Sequence, residues 1–541
     1  MSARKAATAA AVAGVPLLAY ATSDDATRRI GDVTLTAAIT YADYKINDVD
    51  GCHARGASRL HALATKHGGL LTKFGQHVGS LQRLAPPAYV SKLASLRDAC
   101  VPSDAQAVRD LLKRELGDRT SDLATLSDAP TAAASIAQVH TGTLTDGTRV
   151  AVKIMRPTLE TSVEADVLAL RYSFRALRLL APDIAHKWDW LLPEFEDSVR
   201  LELDFLQEAA TQARCASLLQ VPRPALFCRA PAGPGSVTVR APAVRWDLTT
   251  KRVLTMEFVD GHRVDDMEAH ARHGTDPKRV GYALVNALSS LSCEHGLVHA
   301  DPHAGNQLVS PVDDGGFTLW LLDHGLYRRL EAPTRRRLAS LWATLACRDF
   351  EGAADAAVAL QFGADRGQAL AVARLLFTAS SAKGPQLPLG AVLTREQELQ
   401  LRKNARELFP GGKNEASKLL ERVPRDLLFT MRAASLLRGT HRALACTRRQ
   451  RLMLFAEAAA RGNALDERWD HVTGDDCFSP EVRDAIRRSD RPHHSLNVAT
   501  PSERARASRT LTRFRAFFAL CVFALRVFVA ELRLSVGSRC L

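Results

Sequence analysis

The stretch Val298-His299-Ala300-Asp301-Pro302-His303-Ala304-Gly305-Asn306, followed by Leu321-Leu322-Asp323-His324-Gly325, constrains this 541-residue chain more than any other. Asp301 and Asn306 are five residues apart, and the Asp of an Asp-x-Gly follows 17 residues later. This order suits phosphotransfer. Asn306 and Asp323 can each ligand Mg2+ on nucleotide phosphates, and Asp301 can orient or deprotonate an attacking hydroxyl or water. Alone, the spacing also fits a polar loop between two helices, so the surrounding chain has to decide.

Upstream, Arg149-Val150-Ala151-Val152-Lys153-Ile154-Met155 is a short β-branched run carrying a Lys. It fits the kinase strand whose Lys holds the α/β-phosphates. A buried Lys needs a carboxylate partner. Val199 to Glu208 offers Glu202, Asp204 and Glu208. Read as one helix, Glu202 and Asp204 lie about 200° apart and Glu202 and Glu208 about 240° apart, so a single helix would serve two clients. Arg252 to Gly261 reads as a further strand in the place of a kinase hinge, with Met256 behind adenine and the backbone of Glu257 to Val259 pairing with it. The Lys, the acidic helix and the catalytic loop come in kinase order.

Two kinase features are missing. No G-x-G-x-x-G precedes Lys153; Pro130 to His140, including Ala132, Ala133, Ala134 and Ser135, stands there instead. Ala lacks the free positive φ of Gly, so this phosphate loop should be stiffer. No A-P-E follows Gly325, and Leu326 to Leu330 runs directly into helical sequence. So short a segment leaves little platform for a peptide substrate.

The chain resembles the UbiB family of aarF-domain atypical kinases. Pro130 to His140 is similar to that family's P-x-A-A-A-S-I-A-Q-V-H, Lys73-Phe74-Gly75-Gln76 to its K-x-G-Q, and Glu202-Leu203-Asp204 to its E-x-D. His299-Ala300-Asp301-Pro302-His303 with Gly305-Asn306 resembles H-A-D-P-H-P-G-N, Ala304 replacing Pro. Asp323-His324-Gly325 in place of Asp-Phe-Gly looks more like the mitochondrial aarF-domain kinase 1 subgroup than the ubiquinone-biosynthesis one. Arg432-Ala433-Ala434 stands where Arg-Thr-Asn is expected, at a position read as outside the nucleotide site. The likeness runs from about residue 65 to 445.

The resemblance implies an α+β, protein-kinase-like two-lobed fold: a small antiparallel N-lobe sheet with a helix, a helical C-lobe, and a helical K-x-G-Q extension. It implies that Lys73 and Gln76 gate the site, that Lys73 meets Glu202 and Asp204, and that Lys153 pairs with Glu208. It also implies ATP (or ADP) binding with Mg2+, conditional ATPase activity, suppressed protein phosphorylation and a link to membrane lipids. The expected function is ATP hydrolysis or small-molecule or lipid-linked phosphotransfer in organelle membrane lipid homeostasis. The alternatives are a protein serine/threonine kinase and a pseudokinase scaffold acting through partners.

Composition bounds the rest. With 72 basic and 59 acidic residues, net +13, the chain suits an anionic surface. No aromatic-basic interleaving or nucleic-acid module is visible, which leaves an anionic membrane lipid surface as the expected partner and no nucleic acid; protein partners stay open. Ten scattered Cys without C-x-x-C fit a reducing compartment. The expected segments are 1–30 for targeting or anchoring, 31–125 for the helical extension (helices from about 35 to 115), 126–261 and 262–465 for the two lobes, and 466–541 for a basic tail. Residues 1–22 carry Arg4 and Lys5, no acid, and an Ala-rich run broken by Pro16. They read as an organelle-targeting segment, mitochondrial first and plastid as the alternative. Residues 229–243 read as a loop between strands, and 265–465 as helical. Arg504 to Arg515 lead into the apolar run Ala516 to Ala530, a membrane-associated helix or one packed on the core.

Overall fold

The computed structural model describes residues 25–47, 49–80, 85–97, 102–180, 191–220, 228–363, 365–374, 377 and 423–464. The N-terminal segment 1–24 and the apolar C-terminal run lie outside the described residues. The chain divides into two compact units. The first comprises the residues up to Leu206 with Arg245–Phe258; the second comprises Gln207–Val244 with the residues from Val259 on.

Unit 1 opens with helices α1 (Asp25–Ile46), α2 (Val49–His67), α3 (Gly69–Ser80), α4 (Pro87–Ala94) and α5 (Ala105–Leu116). Helix therefore begins about ten residues before the expected start. Helix α5 shows how the sequence sets its limits. Asp104 accepts from Ala107 N at 3.0 Å, which caps the first turn. Gly117, at φ +58°, ends the helix. Between them Val108, Leu111, Leu112 and Leu116 recur on one face and are buried. That face packs on Val150, Val152 and Ile154 of strand β4 (Arg149–Met155). Strand side chains alternate, so Lys153 points to the opposite face of the sheet.

The sheet is antiparallel, in the order β1 (Leu123–Leu126), β3 (Ala137–Leu144), β4, β6 (Val253–Glu257), with β2 (Ala132–Ala133) paired to β3. Helices α6 (Leu159–Leu180) and α7 (Leu191–Glu202) share a core with the helical extension, in which Leu70, Leu71, Phe74 and Val78 of α3 meet Leu192, Phe195 and Val199 of α7.

The single acidic helix expected around residues 199–208 is two helices. Helix α7 ends at Glu202 and α8 (Phe205–Leu219) starts afresh. Asp204 causes the break. Its Oδ1 accepts from Leu206 N at 3.1 Å, while Phe205 N donates to Lys251 O at 3.0 Å. Asp in this role competes with helix continuation. Glu202 and Glu208 therefore sit on different helices.

Unit 2 contains a four-stranded sheet, β5 (Val237–Arg240), β10 (Phe317–Leu321), β9 (Gln307–Pro311), β7 (His262–Arg263), with β5 and β10 parallel. A separate antiparallel pair joins β8 (Leu297–His299) and β11 (Tyr327–Arg329). The region 229–243, read as a loop, thus contributes a strand. The Asp314 carboxylate fixes it by accepting from Ser236 N at 2.8 Å and Gly316 N at 2.7 Å. The helical reading of 265–465 is corrected in the same way, because strands β8 to β11 fall inside it. β8 and β10 are short, mainly apolar runs, which periodicity alone cannot assign, and β9 and β11 are too short to show a period of their own. Leu326 to Leu330 likewise forms β11 before helix α11 (Ala332–Ala346) begins.

Around these strands stand α9 (Met267–Arg272), α10 (Pro277–Cys293), α12 (Phe350–Ala359), α13 (Arg366–Ala373), α14 (Arg425–Ala443) and α15 (Arg448–Ala464). Helix α10 is buried on nearly every side. Trp342 of α11 stacks on Phe455 of α15 at 4.3 Å. The fold is α+β, with the antiparallel N-terminal sheet and the helix-rich C-terminal half of a kinase-like protein. No described helix is long and apolar enough to cross a membrane.

Candidate active site

In unit 2 the loop after β8 carries the acidic motif, and backbone bonds tie it down. Ala300 N donates to Leu326 O at 2.9 Å, Asn306 N to His303 O at 2.9 Å, and Leu322 N to Asn306 O at 2.8 Å. The last of these draws the Asn306 loop to the Asp323 turn. Asn306 Nδ2 lies 3.4 Å from Asp323 Oδ2 and 3.4 Å from Asp301 O. Asp323 itself adopts φ +54°, a left-handed conformation that costs a non-glycine residue on the order of 1 kcal/mol or more and concentrates at functional sites.

Glu208, 3% exposed, lies against this turn: a Cβ added at Gly325 would sit 3.2 Å from Glu208 Oε2 and 3.4 Å from Asp323 Oδ1. A larger residue there would press on both carboxylates by a few tenths of an ångström. No group of three or more His, Cys, Asp or Glu side chains among the described residues is arranged to hold a metal by itself. One carboxylate and one amide oxygen instead suit Mg2+, which takes few protein ligands and completes its shell with phosphates and water.

His324, the substitution for Phe in the Asp-x-Gly turn, is buried at 1% exposure. Its Nε2 donates to Leu321 O at 2.9 Å. Its ring joins a stack: Tyr327 lies 4.6 Å from His299 and 5.3 Å from His324. The imidazole thus fills a ring-shaped space, as a Phe would. Burial holds His299 down to a pKa of about 4, against the pull of Asp323 and Asp301. Burial also drives the Tyr327 phenol well above its ordinary value, with Cys215 Sγ 3.7 Å from its hydroxyl.

Arg432, on α14, was read as lying outside the site. The structure corrects this: Arg432 Nη2 reaches Asp301 Oδ2 at 3.0 Å. Phe429, one turn earlier, packs with Ala300 and Leu326 and so fixes α14 against the Asp301 loop.

In unit 1 the other motif residues form a second group. Lys73 Nζ pairs with Glu202 Oε2 at 2.6 Å. Gln76 Nε2 donates to Leu96 O at 2.8 Å, and its Oε1 accepts from Ser135 Oγ at 3.2 Å. The K-x-G-Q helix therefore holds the alanine loop directly. A Cβ at Gly75 would meet Leu96 Cδ1 at 2.6 Å, so the buried Leu96 would have to shift.

The loop is a tight turn in which Ala134 N donates to Ala137 O at 2.7 Å and Arg156 Nε to Ala134 O at 2.8 Å. Ala132, Ala133, Ala134 and Ser135 all keep negative φ, so the turn needs no glycine. Lys153 Nζ stands 5.2 Å over the Phe205 ring. Asp204 serves the helix junction described above. Met256 pairs with Ala151 and Glu257 with Val150 across β6 and β4, and Phe258 N donates to Arg149 O at 3.4 Å. Val259 falls in unit 2.

Comparison with known proteins identifies the family. The family model of the ABC1 atypical kinase-like domain matches residues 95–357. The chain is 33% identical over 397 residues to AarF domain-containing protein kinase 1 of Mus musculus, covering 72% of this chain and 71% of that protein. It is 31% identical over 438 residues to the Xenopus tropicalis protein of the same name, covering 78% and 79%. The ABC1 family protein MCP2 of Saccharomyces cerevisiae is 32% identical over 307 residues, covering 54% of this chain and 51% of that one. The mouse and Xenopus proteins carry the aarF-domain kinase 1 name of the subgroup that Asp323-His324-Gly325 suggests. The chain belongs to the ABC1, or aarF-domain, family of atypical kinase-like proteins.

Proposed function

We propose that the protein binds ATP with Mg2+ and acts as an ATPase or as a phosphotransferase to a small or lipid-linked acceptor. The observation that carries this reading is the convergence of Asn306 and Asp323 beside Asp301 on a loop tied at both ends. Asn306 and Asp323 would hold Mg2+, which when bound neutralises phosphate charge. Lys153 would hold the α/β-phosphates, and Glu208 would orient Lys153. Asp301 would position or deprotonate the attacking group. Ala132 to Ser135 would cover the phosphates, the backbone of Glu257 to Val259 would take adenine, and Lys73, Gln76, Glu202 and Asp204 would gate access.

A peptide acceptor is disfavoured because β11 pairs with β8 immediately after the Asp323 turn and α11 follows at Ala332. The net charge of +13 supports work at an anionic membrane. Organelle membrane lipid homeostasis, mitochondrial in the first instance, is the setting we infer.

The test is Mg2+-dependent ATP hydrolysis by the full chain, with and without anionic liposomes, against Asp323→Asn. Hydrolysis that needs Mg2+ and is lost in the variant supports the reading. Equal inertness of both proteins, with partners still bound, would replace it by the scaffold. Robust peptide phosphorylation by Lys73→Ala would reveal a latent protein kinase.

A further inference from the structure

The guanidinium of Arg432 offers a second, unassigned recognition element at the catalytic carboxylate. Asp301 is the one partner Arg432 has among the described residues, through a single Nη2 contact of 3.0 Å. Its side chain is 25% exposed, so the guanidinium is open to solvent in part. An arginine presents five N–H donors in a rigid fork that suits oxyanions. One prong is spent on Asp301, and the remainder opens beside the atom that would receive the acceptor proton.

The placement is built rather than incidental. Phe429, 5% exposed, anchors α14 on Ala300 and Leu326. The small residues Ala433 and Ala434 bring the helix close to His299 and Pro302, leaving a cavity of only about 30 Å3. Arg328 packs on the same anchor, its guanidinium 4.2 Å from the Phe429 ring centroid.

We propose that Arg432 selects the acceptor, and that the acceptor carries an oxyanion next to its reactive hydroxyl. A phosphate-bearing polyol, free or as a lipid headgroup, has this chemistry. This rests on the phosphotransfer reading of Asp301. In the transfer the acceptor oxygen bonds to the γ-phosphorus, the bond from that phosphorus to the β–γ bridging oxygen breaks, and ADP leaves. The hydroxyl proton passes to the Asp301 carboxylate and then to solvent. Arg432 binds the neighbouring oxyanion and holds the hydroxyl at Asp301. A neutral peptide hydroxyl has nothing to offer the open prongs.

The experiment is equilibrium binding of sn-glycerol 3-phosphate and of glycerol to the full chain, in the presence of Mg2+ and a non-hydrolysable ATP analogue and again without nucleotide. A parallel arm uses phosphatidylglycerol and phosphatidylcholine vesicles to separate the lipid source from the free one. Glycerol 3-phosphate should bind at least about tenfold tighter than glycerol, the worth of one charge-assisted contact. Arg432→Gln should lose that preference, and Arg432→Lys should recover part of it. Asp301→Asn should keep or strengthen it, because a competing carboxylate is gone. Equal binding of the two probes, an undiminished preference in Arg432→Gln, or loss of it in Asp301→Asn would overturn the proposal. Binding is read without turnover, so a chain that hydrolyses no ATP would defeat the phosphotransfer reading while this preference was still measured on its own.

Discussion

The contact between Gln76 and Ser135 makes a quantitative prediction about how the K-x-G-Q helix controls the alanine loop. Gln76 Nε2 meets Leu96 O at 2.8 Å, inside the usual range, and is worth about 1 kcal/mol net. The Ser135 hydroxyl reaches Gln76 Oε1 at 3.2 Å, beyond the usual O–H···O distance, so its share is about 0.5–1 kcal/mol. Gln76→Leu removes both and leaves two polar partners poorly solvated, Ser135 being 4% exposed. The expected cost is about 2 kcal/mol, against about 0.5–1 kcal/mol for Ser135→Ala. The double variant should cost less than the sum, by the roughly 0.5–1 kcal/mol of the shared bond. Urea denaturation of the four proteins, followed by intrinsic fluorescence and far-ultraviolet dichroism, measures this. Strict additivity would refute the idea that the helix holds the loop through this pair.

Three further outcomes follow from the same geometry. His299, held near pKa 4, stays neutral in the fold while the unfolded chain protonates near 6.5, so its stabilisation is complete above pH 6.5 and falls as pH drops from there toward 4. Between pH 7 and 5 the loss is about 2 kcal/mol, and His299→Phe, which keeps the ring stack, should flatten the stability–pH slope by that amount; an unchanged slope would contradict it. Gly75→Ala gains about 1 kcal/mol of helix propensity but forces Leu96, 2% exposed, out of place at a cost of about 1–3 kcal/mol, so a net loss of stability is expected in thermal unfolding and a clear gain would be inconsistent. His324→Phe should keep Mg2+-dependent activity within about threefold while His324→Ala loses most of it through the collapsed stack, whereas loss of that activity in His324→Phe would contradict a space-filling role for the imidazole.

Much of this was legible in the sequence because the informative residues sit close together. Asn306 and Asp323 are 17 residues apart, and the loop and turn between them leave their own signature. The strand around Lys153 showed through its β-branched run and the Lys within it. What could not be read depended on contacts far apart in the chain. Arg432 meets Asp301 across 131 residues, and nothing local to either marks the pairing. Strand β5 hid in a Pro/Gly-rich stretch because its partner, β10, lies 80 residues further on. The break between Glu202 and Glu208 depended on Asp204 bonding Leu206 N, a local device that helical periodicity does not register. Gly75 is a different case: its place in the motif is plain in the sequence, but that a larger residue would displace the buried Leu96 is seen only in the packing.

The central claim is that Asn306 and Asp323 place Mg2+ on a nucleotide. The most direct measurement is ATP affinity of the full chain with Mg2+ and with the metal chelated, in wild type and in Asp323→Asn. Wild type should bind at least about tenfold tighter with Mg2+, a difference of about 1.4 kcal/mol, and Asp323→Asn should lose most of that difference. Equal affinity with and without Mg2+ in wild type, or an undiminished Mg2+ effect in Asp323→Asn, would contradict the assignment.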